Sequence, residues 1–484
     1  MSRALHLGGT KMARSVRFIP VLFAAFIGTT LCLSQAALAA SVGEASKEEG
    51  HRDSGRGFIR TSYAYDLTDL ERQTLESIQQ IDDYPMYVMT YYGDYGFDEF
   101  IKRGHSNYNS VTRYGEGCTC FSSLNRGGNI IYGRNHDWYQ CPSVIFFTDP
   151  PNGYASISMT IGRDVEAYLA DPSVENAREL LSVPYFTLDG INEYGVVISG
   201  QNVDGEFIYD PEKISLWSYE IRRLVLDYAR DLEEAISLIL QYNNLNSEGN
   251  KLLLSDAYGN SAIIEYFDGE VNVIRNVEPW QVSTNFLVRY AAPDSILDRC
   301  WRYQRAYNAL ESHNGRITEE NALSILESVY NYTQRSAVYN QTIGRIRVVA
   351  GGKYNQVHTF HLPMIVDLAN IKTMASPTRL AAGGRVRLVA RVANLSPRPS
   401  SPTGINFYLS NKRRLGKRAI CIGSRRLPSI ESGEKRTIRL RIDLPDDIEP
   451  GEYHLISCVN ENGRNNDDDE KNNVSVCKKK VIIR

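Results

Sequence analysis

A chain of 484 residues is too long for one ordinary hydrophobic core, so two or more domains are expected. Hydrophobic residues make up 42% and charged residues 23%, as is normal for a soluble globular protein. The net charge of −3 hides an asymmetry, because residues 370–484 contain 23 Lys and Arg against 12 Asp and Glu. That balance of +11 leaves −14 on residues 1–369, which indicates two modules with different surroundings.

The N-terminus has the pattern of an export signal, assigned here to residues 1–40. Arg14 and Arg17 precede the apolar run FIPVLFAAFIGTTLCL, and Ala37 and Ala39 fit a signal-peptidase site. The run is shorter than the ~20 residues that a membrane-spanning helix needs, so removal is favoured over anchoring. The mature protein is therefore predicted to be exported, whether secreted, periplasmic or held at the cell surface.

Residues 41–117 are predicted to be a propeptide that is polar at first and helical afterwards. Thr68 and Glu71 form a capping-box pattern in LTDLERQTLESIQQI, whose apolar residues recur on one helical face as far as Ile81. A second, short helix is predicted in FDEFIKRG.

Residues 118–369 mix clustered strands with separate groups of helices, which favours a layered α+β domain over a Rossmann-like alternation. Strands are predicted in NIIYGRN, YASISMT and YGVVISG, and residues 251–277 read as a three-stranded meander. Helices are predicted in SLWSYEIRRLVLDYA, LEEAISLILQY, DSILDRCWRYQRAYNALE and TEENALSILESVY.

Residues 370–484 alternate apolar and polar positions between Pro/Gly-rich connections, which is typical of an antiparallel β-sandwich. The segments ARVANLSPRPSSPTGINFYLSN and GEYHLISCVNENGRNNDDDEKNN resemble CARDB-type, fibronectin-III-like adhesion modules. The loops NKRRLGKR and GSRRL are interpreted as a solvated basic surface, with binding of a cell-surface polyanion as the alternative. The acidic stretch NNDDDEKNN is interpreted as a disordered hairpin tip, with calcium binding as the alternative.

Seven cysteines remain after the signal, and an odd number in an oxidising compartment leaves at least one thiol outside an internal disulfide. Cys118-Thr119-Cys120 lacks the two-residue gap of a zinc knuckle, and no matching Cys/His pair follows. Neither a metal nor another cofactor is expected.

The stretch YGEGCTCFSSLNRGGNIIYGRNHDWYQ indicates a cysteine that becomes N-terminal by cleavage after Gly117. The thiolate of Cys118 would then be the nucleophile, and its own α-amine, with an ordinary pKa of ~7.7–8.0, could accept a proton near neutral pH. Glycine before the cut would tolerate the strained backbone that attack on its carbonyl requires.

Arg134 and Asp137 follow Cys118 at a distance that a hairpin would close, because FSSLN and NIIYGRN are predicted strands on either side of a tight turn. A guanidinium beside the thiol would stabilise the thiolate, and a carboxylate could hold the α-amine by a charge-assisted hydrogen bond.

GCT followed by YGRNHDW resembles the choloylglycine hydrolase family of N-terminal-nucleophile hydrolases, which includes bile-salt hydrolases, penicillin V acylases and the acid ceramidase group. The resemblance implies a four-layer αββα sandwich over residues 118–369. The motif GINEYGVVISGQNV implies Asn202 as an oxyanion-hole residue, and VSTNF implies Asn285 as a second one. LDRCWRYQRA resembles the helix that supplies an active-site arginine, taken as Arg299, with Arg302 and Arg305 as equally able neighbours.

Together these patterns predict an exported, self-processing amidase that cleaves a small N-acyl amide through a thioester on Cys118. An inactive adhesion protein on the same scaffold and an acyltransferase that uses an amine acceptor are the alternatives. A nucleic-acid partner is not expected, and a homo-oligomer is left open.

Overall fold

The computed structural model describes residues 67–106, 117–123, 128–290 and 293–484. The predicted signal peptide and the polar part of the predicted propeptide lie outside these residues. The helices are α1 (Asp69–Glu76), α2 (Phe97–Phe100), α3 (Arg163–Ala170), α4 (Val174–Leu181), α5 (Ser218–Tyr228), α6 (Leu232–Ile239), α7 (Trp301–Ser312) and α8 (Glu319–Ser328). Within the described residues, no helix is long and apolar enough to cross a membrane.

The strands before the C-terminal module are β1 (Gln79–Asp82), β2 (Met86–Tyr91), β3 (Gly117–Ser123), β4 (Ile131–Asp137), β5 (Ser143–Thr148), β6 (Ser156–Ile161), β7 (Asp189–Asn192), β8 (Val197–Asn202), β9 (Ile214–Leu216), β10 (Tyr242–Asn244), β11 (Asn250–Ser255), β12 (Ser261–Phe267), β13 (Glu270–Arg275), β14 (Trp280–Ser283), β15 (Thr333–Asn340), β16 (Arg345–Ala350) and β17 (His358–His361). Those of the C-terminal module are β18 (Ile365–Val366), β19 (Leu368–Ser376), β20 (Arg379–Leu380), β21 (Arg385–Asn394), β22 (Thr403–Ser410), β23 (Ile420–Leu427), β24 (Lys435–Asp443), β25 (Gly451–Val459), β26 (Asn466–Asp467), β27 (Val474–Val476) and β28 (Val481–Ile483).

The first part of the described chain has four layers. A nine-stranded sheet in the order β1-β2-β5-β6-β7-β8-β11-β12-β13 lies against a six-stranded sheet in the order β14-β3-β4-β15-β16-β17. Buried side chains such as Ile157, Val197, Tyr132 and Val348 fill the space between the two sheets. The predicted αββα sandwich is confirmed because apolar helix faces cover both outer surfaces.

Each outer surface has its own apolar core. The nine-stranded sheet is covered by α1 and α3–α6, whose residues Leu180 and Leu224 pack with Phe146 and Ile198. The six-stranded sheet is covered by α7 and α8, which contribute Tyr303 and Leu326. This arrangement follows from β-strands that are apolar on both faces, since each face must be buried.

The segment before Cys118 differs from the predicted helical propeptide. The capping box of Thr68 and Glu71 is present, but α1 ends at Glu76 rather than continuing to Ile81. Residues from Gln79 onward form β1, and β2 then pairs in parallel with β5 inside the nine-stranded sheet. Helical periodicity missed this because the sheet supplies backbone partners that a local pattern does not reveal.

The predicted helix DSILDRCWRYQRAYNALE is also interrupted. A 3-10 helix covers Pro293–Arg299, Cys300 is extended with φ −154° and ψ 123°, and α7 begins at Trp301. The predicted meander over residues 251–277 is confirmed as β11, β12 and β13 in antiparallel pairing.

The C-terminal module is a β-sandwich with its own core. A sheet of β19, β21 and β24 faces a second sheet built around β28, β25, β22 and β23. Leu388, Ile405, Phe407 and Leu455 are among the buried residues between them. Strand β19 runs across residue 370, where the sequence predicted the module to begin.

The acidic stretch is not a disordered tip. Residues Asn466–Asp467 form β26, which pairs in parallel with β18, and Asp467 is 1% exposed. Asn466 donates to the Glu193 carboxylate at 2.9 Å, and Tyr194 donates to Asp468. The stretch therefore joins the sandwich to the layered domain, because its carboxylates and amides find hydrogen-bond partners there.

Candidate active site

The site is built on the pairing of β3 with β4. The two strands are antiparallel, with Gly117 opposite Asp137, Cys118 opposite His136 and Cys120 opposite Arg134. The prediction that a hairpin returns the RNHD segment to the cysteine is thus confirmed. Part of the connection lies outside the described residues.

Strand alternation sorts the site residues onto two faces. Cys120 and Tyr132 belong to the core between the two sheets, whereas Phe121 and Ile131 belong to the core under α7 and α8. Side chains two residues apart share a face, so Cys118 and Arg134 point between the sheets, and Asp137 points toward the helices.

The thiol of Cys118 lies beside the guanidinium of Arg134. Nη2 of Arg134 is 3.9 Å from the Cys118 sulfur, and Nη1 is 3.9 Å from the Cys120 sulfur. Cys118 is fully buried, and neither it nor Cys120 is in a disulfide. A fixed positive charge at this distance favours the thiolate over the thiol.

Arg134 is held in place by a buried acidic network that sequence reasoning missed. Its Nε lies 3.3 Å from Oδ1 of Asp189, and its Nη1 donates to the carbonyl of Gly200 at 2.7 Å. Burial would raise the pKa of Asp189, but Arg134 and Arg335 outweigh it and lower the pKa. Asp189 also accepts from Tyr339 at 2.5 Å. The signal was available in LDGINEYG, where an acidic residue directly precedes the recognised motif.

Side chains on the helix side of the sheet form hydrogen bonds with the backbone of Cys118. Its N–H donates to Oδ1 of Asn285 at 2.7 Å, and its carbonyl accepts from Nη1 of Arg302 at 2.6 Å. Nη2 of Arg302 also donates to Oδ1 of Asn285 at 3.0 Å. A guanidinium and an amide thus fix both backbone polar groups of the same residue.

Asp137 lies in this second group. Its Oδ2 is 3.2 Å from Nη1 of Arg302, and its Oδ1 accepts from Thr333 at 2.7 Å. Burial raises the pKa of Asp137 to about 6, although Thr333, Arg302 and Arg134 oppose the rise. The carboxyl group therefore changes charge within the range where many enzymes work.

Gly117 leaves room for that carboxylate. A Cβ atom built on Gly117 would lie 3.2 Å from Cβ and Oδ2 of Asp137, which is tighter than an ordinary contact. The strained backbone expected at this glycine stays a prediction. Space beside Asp137 is the physical reason for glycine in this structure.

Asn202 ends β8 and lies opposite Asn250 of β11. Its carbonyl accepts from Nδ2 of Asn285 at 2.9 Å, so Asn285 links Asn202 to Cys118. Donation by the two asparagine side chains to an oxyanion stays a prediction.

Arg299 does not join the site, and Arg302 does. Arg299 is exposed at the end of the 3-10 helix, whereas Arg302 is 8% exposed. Because the helix starts only at Trp301, Arg302 shares the inward face of α7 with Ala306 and Leu310 at four-residue intervals. The structure therefore brings Arg302, and not the predicted Arg299, to Cys118. The spacing to these small and apolar residues could have identified Arg302.

The loop after Asn285 is clamped by a buried ion pair. Nζ of Lys251 lies 3.2 Å from Oε1 of Glu265, and both side chains are fully buried. Lys251 also donates to the carbonyl of Phe286, while Glu265 accepts from the N–H groups of Val288 at 2.8 Å and Arg289 at 3.1 Å. Burial lowers the pKa of Lys251, and Glu265 partly offsets this.

Across the residues that the structure describes, no group of three or more His, Cys, Asp or Glu side chains is arranged to hold a metal ion. The chemistry available to the site is that of a thiol, two guanidinium groups, amides and a carboxyl group. This set suits nucleophilic attack on a carbonyl carbon.

Comparison with protein families agrees with this geometry. The model of linear amide C-N hydrolases, choloylglycine hydrolase family, matches residues 118–298, and the CARDB model matches residues 365–476. Residues 118–298 are thus similar to the choloylglycine hydrolase family. Both resemblances predicted from the sequence are thus confirmed, and the activity of the choloylglycine hydrolase family is hydrolysis of linear amides. No curated protein matches the chain.

Solved structures are similar to each module. Penicillin V acylase from Agrobacterium tumefaciens is 17% identical, with a TM-score of 0.36 over 51% of this chain and 86% of that one. A mutant of conjugated bile acid hydrolase from Clostridium perfringens is 16% identical, with a TM-score of 0.37 over 51% and 92%. A CARDB domain from Pyrococcus furiosus, solved with di-metal ions, is 16% identical, with a TM-score of 0.18 over 25% and 86%.

Proposed function

We propose that this protein is an exported, self-processing amidase in which Cys118 becomes the N-terminal nucleophile and cleaves N-acyl amides to an acid and an amine. The observation that carries the proposal is the double environment of Cys118. Arg134 lies 3.9 Å from its sulfur, while Asn285 and Arg302 hold its backbone N–H and carbonyl. A cysteine that is only a buried core residue requires neither a cation beside its sulfur nor side-chain partners for its backbone.

Processing would begin with attack of the Cys118 sulfur on the carbonyl carbon of Gly117. The peptide C–N bond breaks as the thioester forms, and the nitrogen leaves as the α-amine of Cys118. Water then hydrolyses the thioester, which releases the Gly117 carboxylate and restores the thiol. Asn285, which already accepts from this nitrogen at 2.7 Å, would keep the new amine in place.

Turnover would repeat the same chemistry on an external amide. The α-amine takes the thiol proton, the thiolate attacks the amide carbonyl, and the resulting oxyanion needs hydrogen-bond donors, for which Asn202 and Asn285 are the candidates. The α-ammonium protonates the departing amine, and water cleaves the acyl-thioester. Arg134 stabilises the thiolate, and Arg302 with Asp137 positions Cys118.

The matched test compares the wild-type full-length chain with Cys118→Ala and Cys118→Ser by N-terminal sequencing and mass spectrometry. We expect a wild-type fragment that begins at Cys118, and no cleavage at this bond in Cys118→Ala. Cys118→Ser keeps a nucleophilic atom and should cut slowly. A preparation that hydrolyses amides while the chain remains intact at Gly117 would overturn the processing step.

A panel of amides identifies the substrate class. Bile-salt conjugates, phenoxyacetyl and aliphatic penicillins, N-acyl lactones and ceramides would each be assayed for acid and amine release. Equal amounts of acid and amine indicate hydrolysis, whereas a new amide formed with an added amine indicates acyl transfer. A processed chain that releases neither product from any member favours the adhesion alternative.

A further inference from the structure

The outer face of the β19-β21-β24 sheet is densely cationic. We define the cationic face as the outward-pointing cations of these strands: Lys372, Arg385, Arg387, Arg391, Lys435, Arg439 and Arg441. All seven side chains are exposed, and their strand neighbours Val386, Leu388 and Ile438 point into the sandwich core. The face is distinct from the basic loops that the sequence pattern brought to attention.

Like charges lie directly opposite one another on this face. Arg387 pairs across the strands with Arg441, and Lys372 pairs with Arg391. Among the described residues, the only ion pair of the cationic face joins Arg385 to Asp443 at 2.7 Å. Directly opposed like charges destabilise a sheet. An external anion that neutralises them would therefore stabilise this array.

The middle of the face is apolar. Met374, which is 38% exposed, lies opposite Val389, and Val389 lies opposite Arg439. Ile371, 50% exposed, extends from the bulge at the edge of β19. Cations therefore flank a small apolar patch on this sheet face.

We propose that the cationic face docks the protein on an anionic lipid bilayer. Neighbouring strands lie about 4.8 Å apart and alternate residues about 6.6 Å apart, so the cations form a two-dimensional grid rather than a single row. Such a grid matches a plane of phosphate headgroups, whereas a linear polyanion would neutralise one row. The apolar centre suits the boundary between headgroups and acyl chains.

The inference does not depend on the amidase activity. It concerns exposed side chains of the sandwich, and none of them contacts the Cys118 site. Failure of vesicle binding would leave the proposed function standing, and the reverse also holds.

The test measures co-sedimentation of the full-length protein with vesicles of phosphatidylcholine alone and of phosphatidylcholine mixed with phosphatidylglycerol. The face variant replaces Arg387, Arg391, Arg439 and Arg441 by Gln. The matched control replaces Lys412, Arg413, Lys417 and Arg418, four exposed cations of the β22–β23 loop, by Gln. Both variants lose the same charge, so they separate the geometry of the face from net charge.

We expect wild type to bind only the mixed vesicles, with binding that weakens as salt shortens the Debye length from about 10 Å at 0.1 M to about 3 Å at 1 M. The face variant should lose at least about 100-fold in partition coefficient, since each cation near an anionic surface contributes severalfold. The loop variant should change much less.

A charge-conserving variant with Lys at the same four face positions should keep the binding, and thermal unfolding of every variant verifies its fold. Equal loss in the face and loop variants would overturn the proposal, as would binding to neutral vesicles. Binding to soluble polyphosphate without binding to vesicles would also overturn it and would point to a polymer partner.

Discussion

The side chain and the backbone of Cys118 contact different groups. The sulfur faces Arg134 between the two sheets, while the N–H and carbonyl face Asn285 and Arg302 on the helix side. The sequence pattern predicted the first relation, because Arg134 and Cys118 belong to one hairpin. For the second it pointed to Arg299 rather than Arg302, because the arginine that reaches the site depends on where α7 begins.

The arginine assignment predicts a clear difference between two variants. Arg302→Met removes the hydrogen bonds to Cys118 and Asn285 and leaves Asp137 without its cation, so we expect kcat/KM to fall by about 10²–10³. The exposed Arg299→Met should change the free energy of unfolding by less than about 0.5 kcal/mol and retain activity. Steady-state kinetics on both variants decides the matter, and a larger loss for Arg299→Met would contradict the assignment.

Asp137 predicts the acidic limb of the pH profile. Its pKa of about 6 means that the ionised form, which pairs with Arg302, is lost as the pH falls below 6. We expect kcat/KM to rise with pH to a plateau above this value. In Asp137→Asn the limb should disappear together with most of the activity; a limb that persists unchanged would assign the titration to another group.

The contribution of Asp137 to the free energy of unfolding should change with pH in the opposite direction to kcat/KM. The pKa of Asp137 in the folded protein lies above the ordinary value of 3.8, so the folded state retains a proton that the unfolded chain loses between about pH 4 and 6. The stabilising contribution of the Asp137 carboxyl group to the folded state is fully present below pH 4 and is lost as the pH rises through 6. The difference in unfolding free energy between wild type and Asp137→Asn should follow that course in urea titrations.

At the scale of elements, short strands and one helix hold the site residues, and contacts between distant segments of the chain orient them. The β3–β4 pair places the thiol, β14 and its following loop place Asn285, and α7 places Arg302. Periodicity predicted most of these elements. It did not predict the break at Cys300 or the strand at Gln79–Asp82, because both depend on packing partners elsewhere in the chain.

The Lys251–Glu265 pair predicts a strong effect of charge burial. Glu265→Gln leaves Lys251 buried without a counter-charge, which should lower the free energy of unfolding by about 3–5 kcal/mol. It should also reduce kcat, because Glu265 holds the loop that follows Asn285. Urea unfolding and kinetics measure the two effects.

The matched control is Glu233→Gln, which breaks the exposed Arg275–Glu233 pair. Its side chains are 49% and 69% exposed, so solvent screening limits the change to at most about 1 kcal/mol. Equal effects of the two substitutions would show that Lys251–Glu265 is not a clamp.

At the scale of the molecule, the segment before the proposed cut is part of the fold. Strand β2 pairs with β5, Tyr95 donates to Asp227 at 2.7 Å, and His105 lies 2.9 Å from Glu220. Leu75 and Phe97 are buried in the core over the nine-stranded sheet. Cleavage after Gly117 would therefore leave the described residues 67–106 bound to the rest of the domain.

This predicts a two-chain mature enzyme. A denaturing gel should show two bands even without reductant, since the described cysteines form no disulfide, while size-exclusion chromatography should show one species. Tyr95→Phe, which leaves Asp227 with Arg223 alone, should weaken retention and serves as a graded control. A folded, active protein that lacks the N-terminal fragment would contradict the prediction.

The sandwich module is likewise fixed to the layered domain. Arg398, 2% exposed, donates to the carbonyls of Glu193 and Tyr194 at 3.1 and 2.5 Å. Burial lowers the pKa of Arg398 to about 10. Composition separated the two modules by charge, but it did not reveal that an arginine and an acidic stretch of the sandwich bind the layered domain.

The sequence by itself determined the cysteine with its hairpin partner Arg134, the capping box, the meander and the alternation of the sandwich strands. Each of these depends on residues close together in the chain, where strand period and turn chemistry act directly. Only the tertiary structure decided that Arg302 rather than Arg299 reaches Cys118, that Asp189 holds Arg134, and that the N-terminal segment adds strands to the main sheet. Those contacts join residues far apart in sequence, and burial of charge and backbone pairing, which no local pattern records, select them.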